Sequence, residues 1–115
     1  MASKEEHLAQ AEHNEDFIAA TDNPFFDWKL IGMFYSALQY VDAYLATQNI
    51  HPPDHGDRAK HVSSFAKFAS IRSDYRDLKN ESRTARYEPP NLFDQGDVNI
   101  AQRRLDSIKA TLLPL

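Results

Sequence analysis

The fold is decided by a long apolar segment, residues 24–48, which reads PFFDWKLIGMFYSALQYVDAYLATQ. Its apolar side chains recur at intervals of three and four residues, which is the period of an α-helix. They form two adjacent stripes, one of Leu30, Phe34, Leu38, Val41 and Leu45, the other of Phe26, Met33, Ala37, Tyr40 and Tyr44. Because a helix that is apolar over most of its circumference packs against neighbours on several sides, we predict a central helix here. Gly32 and Ser36, four residues apart, would admit a neighbouring backbone closely.

The segment before the central helix predicts an outer helix. Ser3 and Glu6 have the spacing of a capping box, in which each side chain bonds the backbone amide of the other residue. The first helix is therefore expected over residues 3–20, and its thin apolar stripe places it on the outside of a bundle. Residues 21–23 are expected to end it. Pro24 is expected at the first position of the central helix, where a backbone N–H would have no partner.

A proline-bearing loop is expected over residues 49–56, after the central helix. Asp57 is the predicted N-cap of a short third helix. The apolar residues assigned to that helix are Val62, Phe65, Ala66 and Ala69.

Two further helices are predicted in the last part of the chain. The fourth is expected over residues 71–87, ended by the prolines at positions 89–90. A loop over residues 91–96 is expected to follow. Asp97 is the predicted N-cap of the last helix, whose pattern ends at Pro114.

These elements predict an all-α, up-and-down bundle of four to five helices, with residues 1–115 as a single domain. The chain has no cysteine, which excludes disulfides, thiolate metal sites and cysteine nucleophiles. The net charge of −4 argues against sequence-blind wrapping of nucleic acid, but a local basic patch is compatible with it. The polar N-terminal segment and the charges within residues 25–45 predict no secretory signal, no membrane span and a cytoplasmic location.

The fourth helix carries an unexpected row of cations, which we call the arginine ridge. It consists of Arg72, Arg76, Lys79, Arg83 and Arg86. On a helical wheel they fall within about 40° of one line. Like charges one turn apart repel by a few tenths of a kcal/mol, so a partner is needed to neutralise them. The first interpretation is a phosphate or RNA backbone, which arginine binds bidentately. The second is a set of salt bridges to the acids of the first helix, namely Glu5, Glu6, Glu12, Glu15 and Asp16.

Three histidines, His51, His55 and His61, form the second candidate group. Imidazole is suited to proton transfer near neutral pH and to binding borderline metals. One interpretation is that His51 and His55 fix their loop through hydrogen bonds to backbone carbonyls. A second is a catalytic or nucleotide contact, in which Arg58 shares an anion with His55. A third is a metal site completed by nearby aspartates, although the spacing matches no zinc pattern, and we predict no resident metal or cofactor.

Aromatic side chains at helical spacing predict mainly core positions. We expect the five tyrosines to be largely buried, with hydroxyl groups reaching partners at the rim of the core. Trp28 is expected in the core or at an interface.

The last third of the chain resembles the HEPN domain, a helical module common in prokaryotes. The matching residues are Leu78, the run Ser82-Arg83-Thr84-Ala85-Arg86-Tyr87, then Phe93, Asp97, Val98, Ala101, Leu105 and Ile108. The middle of the chain is similar as well, with Phe34-Tyr35-x-Ala37-Leu38-x-Tyr40 on a long helix before a histidine loop.

The resemblance implies a bundle of four to five helices, often a symmetric homodimer, that associates with RNA or nucleotides. Many HEPN proteins are metal-independent ribonucleases, or toxins paired with a small nucleotidyltransferase antitoxin. Those ribonucleases carry a histidine four to six positions after an arginine, and this chain departs from that pattern because no histidine follows the ridge arginines. What carries over is the arginine-bearing end of the family's helix, here Arg83, Arg86 and Tyr87.

Three hypotheses follow. The leading one is a HEPN-like module that dimerises through its apolar helices, because a bundle of this size is expected to cover the central helix poorly by itself. It would bind RNA, a nucleotide or a partner protein through Arg76, Lys79, Arg83, Arg86 and Tyr87. The second is a ribonuclease that uses His51 or His55 as general acid–base, with Arg58 or Arg83 stabilising charge on the phosphate. The third is a metal-binding bundle that uses His51, His55 and His61.

Overall fold

A computed structural model describes residues 1–20, 25–88 and 92–115 of the chain. The elements are α1 (Lys4–Ala20), α2 (Phe26–Thr47), α3 (His55–Ser64), a 3-10 helix (Ala66–Ile71), α4 (Arg72–Tyr87) and α5 (Gln95–Leu112). No strand occurs within these ranges, so the predicted all-α bundle of four to five helices is confirmed. The predicted helix end at residues 21–23, the role of Pro24 and the stop at residues 89–90 fall outside the described residues.

The α2 helix is the centre of the bundle, as its two apolar stripes predict. It packs against α1, α4 and α5. Half of its 22 residues are buried, including Leu30, Phe34, Val41 and Leu45. Three helices of the same chain therefore cover α2. The expectation that a bundle of this size covers the central helix poorly by itself is therefore wrong, whereas dimerisation stays a prediction.

The α1 helix approaches α2 closely at the two small residues. Ser36 Oγ donates a hydrogen bond to the carbonyl oxygen of Ala11 at 3.2 Å. A Cβ atom added at Gly32 would lie 3.0 Å from Ile18 Cγ1, so a larger residue there would require the Ile18 side chain to shift. Ala11 is the one fully buried residue that α1 contributes, which confirms its predicted outer position.

The predicted capping box of α1 is confirmed. Ser3 N–H donates to Glu6 Oε1 at 3.2 Å, and Glu6 N–H donates to Ser3 Oγ at 3.1 Å.

Two other predicted caps are displaced by three residues. Asp54, not Asp57, is the N-cap of α3 and accepts a hydrogen bond from Asp57 N–H at 2.8 Å. Asp94, not Asp97, is the N-cap of α5, and the two aspartates bond each other's amides at 3.0 Å. In both places two aspartates lie three residues apart, and the spacing alone does not show which of them is the N-cap. The glycine between each pair of aspartates favoured a loop that includes it. In the structure, that glycine lies in the first turn of the helix.

The third predicted helix is also shorter than expected. It ends at Ser64, and Phe65 adopts an extended conformation before the 3-10 helix. This 3-10 helix buries Phe68 and Ile71 in the core. The chain thus changes direction between α3 and α4 with its apolar side chains still inside.

The aromatic residues divide between core and surface. Tyr40 and Tyr75 are buried, as predicted, whereas Tyr87 is 77% exposed. Trp28 is 56% exposed, so of its two predicted positions the core is wrong and an interface stays a prediction. In the described part of the chain, the helices are all too short or too polar to cross a membrane.

Candidate functional site

The first ridge residue, Arg72, is committed to the fold. Its Nε donates to the carbonyl oxygen of Val62 at 2.8 Å, and its Nη2 donates to that of Phe65 at 3.0 Å. The Val62 carbonyl lies in the last turn of α3, where carbonyls lack partners within the helix, and the Phe65 carbonyl, just after α3, also accepts from Phe68 N–H at 3.1 Å. The prediction of five available cations in a row is therefore wrong for Arg72, because its guanidinium group holds α3 against α4.

The next three ridge residues lie at the surface of α4. The Arg76 side chain is 68% exposed, and its Nε is 3.7 Å from Asp77 Oδ1. An exposed pair of this kind contributes little, typically below about 1 kcal/mol. Lys79 is half-buried and Arg83 is exposed. Among the described residues, no carboxylate oxygen lies within 4.0 Å of the Lys79 or Arg83 charged group.

The last ridge residue, Arg86, is held between two tyrosines. Its Nη1 donates to the Tyr35 hydroxyl at 2.9 Å and approaches Ser82 Oγ at 3.5 Å. The Arg86 guanidinium carbon is 5.9 Å from the centre of the Tyr35 ring and 5.8 Å from that of the Tyr87 ring. These contacts orient the guanidinium group without neutralising its charge.

In the part of the chain that the structure describes, the acids of the first helix that were expected to neutralise the ridge do not pair with it. Glu15 of α1 bonds Tyr40 and Lys109, and Glu5 lies near Lys4. Over the described ranges, no ion pair joins α1 to the ridge, so the predicted salt bridges with the first helix are wrong. The acids on the other side of α4 are directed to α5 instead. Asp77 and Glu81 both pair with Arg104, and burial raises the pKa of Glu81 despite that partner.

A buried ion pair lies next to the site. Arg58 Nε donates to Asp42 Oδ1 at 2.7 Å, and Arg58 Nη2 donates to Asp42 Oδ2 at 2.9 Å. Both residues are buried, and the pair joins α3 to α2. Burial lowers the pKa of Arg58, but the hydrogen bonds and charge of Asp42 outweigh it and raise that pKa overall. Arg58 was predicted to be available for an anion. The structure corrects this, because its bidentate bond to Asp42 occupies it.

His55 joins the histidine loop to the buried ion pair. It is the first residue of α3, and its Nδ1 is 3.4 Å from Arg58 Nη1. The His55 ring lies 6.1 Å from the Phe34 ring, centre to centre. Burial lowers the pKa of His55, and the positive charges of Arg58, Lys79 and Arg86 lower it further. His55 is therefore uncharged at neutral pH and can accept a proton.

The other two histidines are not brought to the same place. His61 Nε2 is 3.4 Å from Asp57 Oδ2, and its ring packs edge-on against Phe65. In residues 1–20, 25–88 and 92–115, no three histidine, aspartate or glutamate side chains lie close enough together to hold a metal ion. His51 and His55 make no hydrogen bond to a backbone carbonyl in the described structure, so their predicted loop-fixing role is also wrong.

A groove of about 260 Å³ runs beside the ridge, between α3 and α4. Val62 and Tyr75 are apolar parts of its lining, and Arg76 and Lys79 add positive charge. Burial raises the pKa of Tyr75, so its hydroxyl stays protonated. The candidate site therefore combines an apolar groove, unneutralised cations, an exposed tyrosine and an uncharged histidine.

Comparison of the chain with protein-family models, with curated proteins and with solved structures gives no match. The site must therefore be interpreted from its own geometry.

Proposed function

We propose that the chain binds the phosphate backbone of RNA through a basic face made of Arg76, Lys79, Arg83, Arg86 and His55. The observation that carries this proposal is the unneutralised charge of Lys79 and Arg83 in a protein whose net charge is −4. In the described residues, no acid of α1 pairs with these cations, and Asp77 and Glu81 of α4 pair with Arg104, so the cations repel each other in the free protein. A phosphate backbone relieves that repulsion and accepts the hydrogen bonds that the guanidinium and ammonium groups offer.

The aromatic residues beside Arg86 favour a single-stranded ligand. Tyr87 is largely exposed at the end of α4, next to a guanidinium group that would hold a phosphate. An unpaired base can stack on such a ring, whereas a duplex keeps its bases stacked inside. The resemblance to HEPN domains supports the same class of ligand.

A direct titration tests the proposal. A fluorescent, single-stranded RNA of about 12 nucleotides is titrated with the protein at low salt, and anisotropy reports binding. We expect saturable binding that unlabelled single-stranded RNA reverses. Competition by inorganic phosphate or an acidic peptide at the same concentration of charges would contradict RNA as the ligand and indicate a simple anion or an acidic protein.

RNA affinity is expected to depend on the charge state of His55. Because the pKa of His55 lies below its ordinary value of 6.5, the residue gains its proton only as the pH falls below that value. The added charge strengthens phosphate binding, so affinity should rise as the pH falls below about 6.5. In His55→Gln this rise should be clearly smaller, whereas the control His61→Gln should keep it. An equal rise in all three proteins would show that His55 does not contribute to RNA binding.

RNA cleavage is the second candidate function, and the position of His55 favours it. An uncharged imidazole whose pKa is lowered by the charges of Arg86 and Lys79 can accept the proton of a ribose 2′-hydroxyl while the cations hold the phosphate. Arg58 does not serve here, because it is bound to Asp42. We expect His55→Ala to abolish cleavage of a labelled structured RNA and His51→Ala to leave it intact. Cleavage by His55→Ala at the wild-type rate would contradict this candidate function.

Two proposals about partners come from the HEPN resemblance. They are a second copy of this chain and a small nucleotidyltransferase antitoxin. A homodimer would have twice the chain mass of 13.2 kDa by light scattering. A mass near 13.2 kDa at high micromolar concentration would contradict the homodimer.

A further inference from the structure

A second groove, of about 600 Å³, lies between α1, α2 and the end of α5. Its lining is mainly apolar, with Leu8 from α1, Tyr40 from α2, and Leu113 and Pro114 after α5. Its volume falls within the range of about 300–1,000 Å³ that is typical of small-molecule sites. None of the residues of the basic face lines it.

One cation at this groove is already neutralised. Lys109 Nζ donates to Glu15 Oε1 at 2.9 Å, and the Tyr40 hydroxyl donates to Glu15 Oε2 at 2.5 Å. Tyr40 is 2% exposed, so this cluster forms a fixed polar wall. The charges of Lys109 and Glu15 cancel, and neither is available to a charged ligand.

The remaining charge at the groove is negative. Glu12 lines it and is exposed, and no lysine, arginine or histidine nitrogen of the described residues lies within 4.0 Å of its carboxylate. The α5 helix ends at Leu112, so its last carbonyls bring partial negative charge to the same place. Burial raises the pKa of Tyr40, and the hydrogen bond to Glu15 and the negative charges of Glu15 and Glu12 raise it further.

We propose that this groove binds an apolar organic cation, such as a primary alkylammonium ion. The alkyl chain lies against Leu8, Leu113 and Pro114, where it leaves water. The ammonium group faces the Glu12 carboxylate and the carbonyl end of α5. An alkyl carboxylate of the same length would meet like charge at the same position.

Three probes of equal chain length test the proposal: n-octylammonium, n-octanol and n-octanoate. Binding is followed by NMR from the methyl signals of Leu8, Ala110 and Leu113. We expect n-octylammonium to shift these signals at concentrations at least about threefold lower than n-octanol, and n-octanoate to bind weakest. Equal binding of all three probes, or no shift with n-octylammonium, would overturn the proposal.

Two variants locate the site and its charge. Ala110 is exposed at the groove, so Ala110→Phe should fill the groove without disturbing the core and weaken n-octylammonium binding about tenfold. Glu12→Gln should remove the preference for n-octylammonium over n-octanol, whereas Glu5→Gln, an exposed carboxylate of the same helix outside the groove, should preserve it. Loss of the preference in Glu5→Gln as well would show a general charge effect and overturn the assignment to this groove.

Discussion

The substitution Asp42→Ala is expected to lower the free energy of unfolding by about 3–5 kcal/mol. Asp42 is the buried partner of Arg58, and both of its oxygens accept hydrogen bonds from that guanidinium group. Removing the carboxylate leaves a buried positive charge without a partner, which costs more than the loss of the two hydrogen bonds. Because small domains are stable by about 5–15 kcal/mol, this is a large share of the total. Urea unfolding followed by circular dichroism measures it.

The double variant Asp42→Leu with Arg58→Met is the control for this prediction. It replaces both charged side chains with apolar ones, so no buried charge is left unpaired. We expect it to be clearly more stable than Asp42→Ala. A loss below about 1 kcal/mol in Asp42→Ala would show that Arg58 reaches water or another partner, and that the pair does not hold α3 to α2.

Replacing Lys79, Arg83 and Arg86 by alanine is expected to weaken RNA binding about 100-fold. Each of these cations is assigned one phosphate contact of about 1 kcal/mol, and three such contacts correspond to about two orders of magnitude in affinity. Alanine favours helix, and the change removes repulsion between neighbouring cations, so α4 is expected to keep its helicity. Anisotropy measures the affinity, and circular dichroism measures the fold.

The matched control removes the same number of charges elsewhere. The variant with alanine at Lys4, Lys67 and Arg103 loses three positive charges. Its net charge therefore changes from −4 to −7, as in the ridge variant. If RNA binding depends on the ridge itself, the control should bind within about threefold of the wild type. Equal losses in the two variants would mean that net charge, and not the arrangement on α4, determines binding.

Much of the fold could be predicted from α2 alone. Its apolar period identifies the central helix, and Gly32 and Ser36 identify where α1 comes close. Local spacing was less informative where two residues could play one role. Asp54 and Asp57 both suit an N-cap, and only the direction of the chain leaving the loop decides between them.

The candidate site was predicted only in part, because its partners are distant in sequence. Arg72 matches the ridge by spacing, but its bonds to Val62 and Phe65 depend on how α3 ends. The pair of Asp42 with Arg58 was missed, although a carboxylate within an apolar stripe is a signal that a buried partner must exist. Tyr35 was treated as a core aromatic, and its bond to Arg86 spans 51 positions, which no local pattern reveals.

The salt dependence of RNA binding tests the central claim most directly. A protein that contacts three phosphates of a single strand is expected to show a slope of about −2 in a plot of log affinity against log salt concentration. We predict that the variant without Lys79, Arg83 and Arg86 has a slope smaller in magnitude by about 2 than the wild type and the control variant, with Arg76 accounting for what remains. The same slope in all three proteins would contradict the assignment of phosphate binding to the ridge on α4.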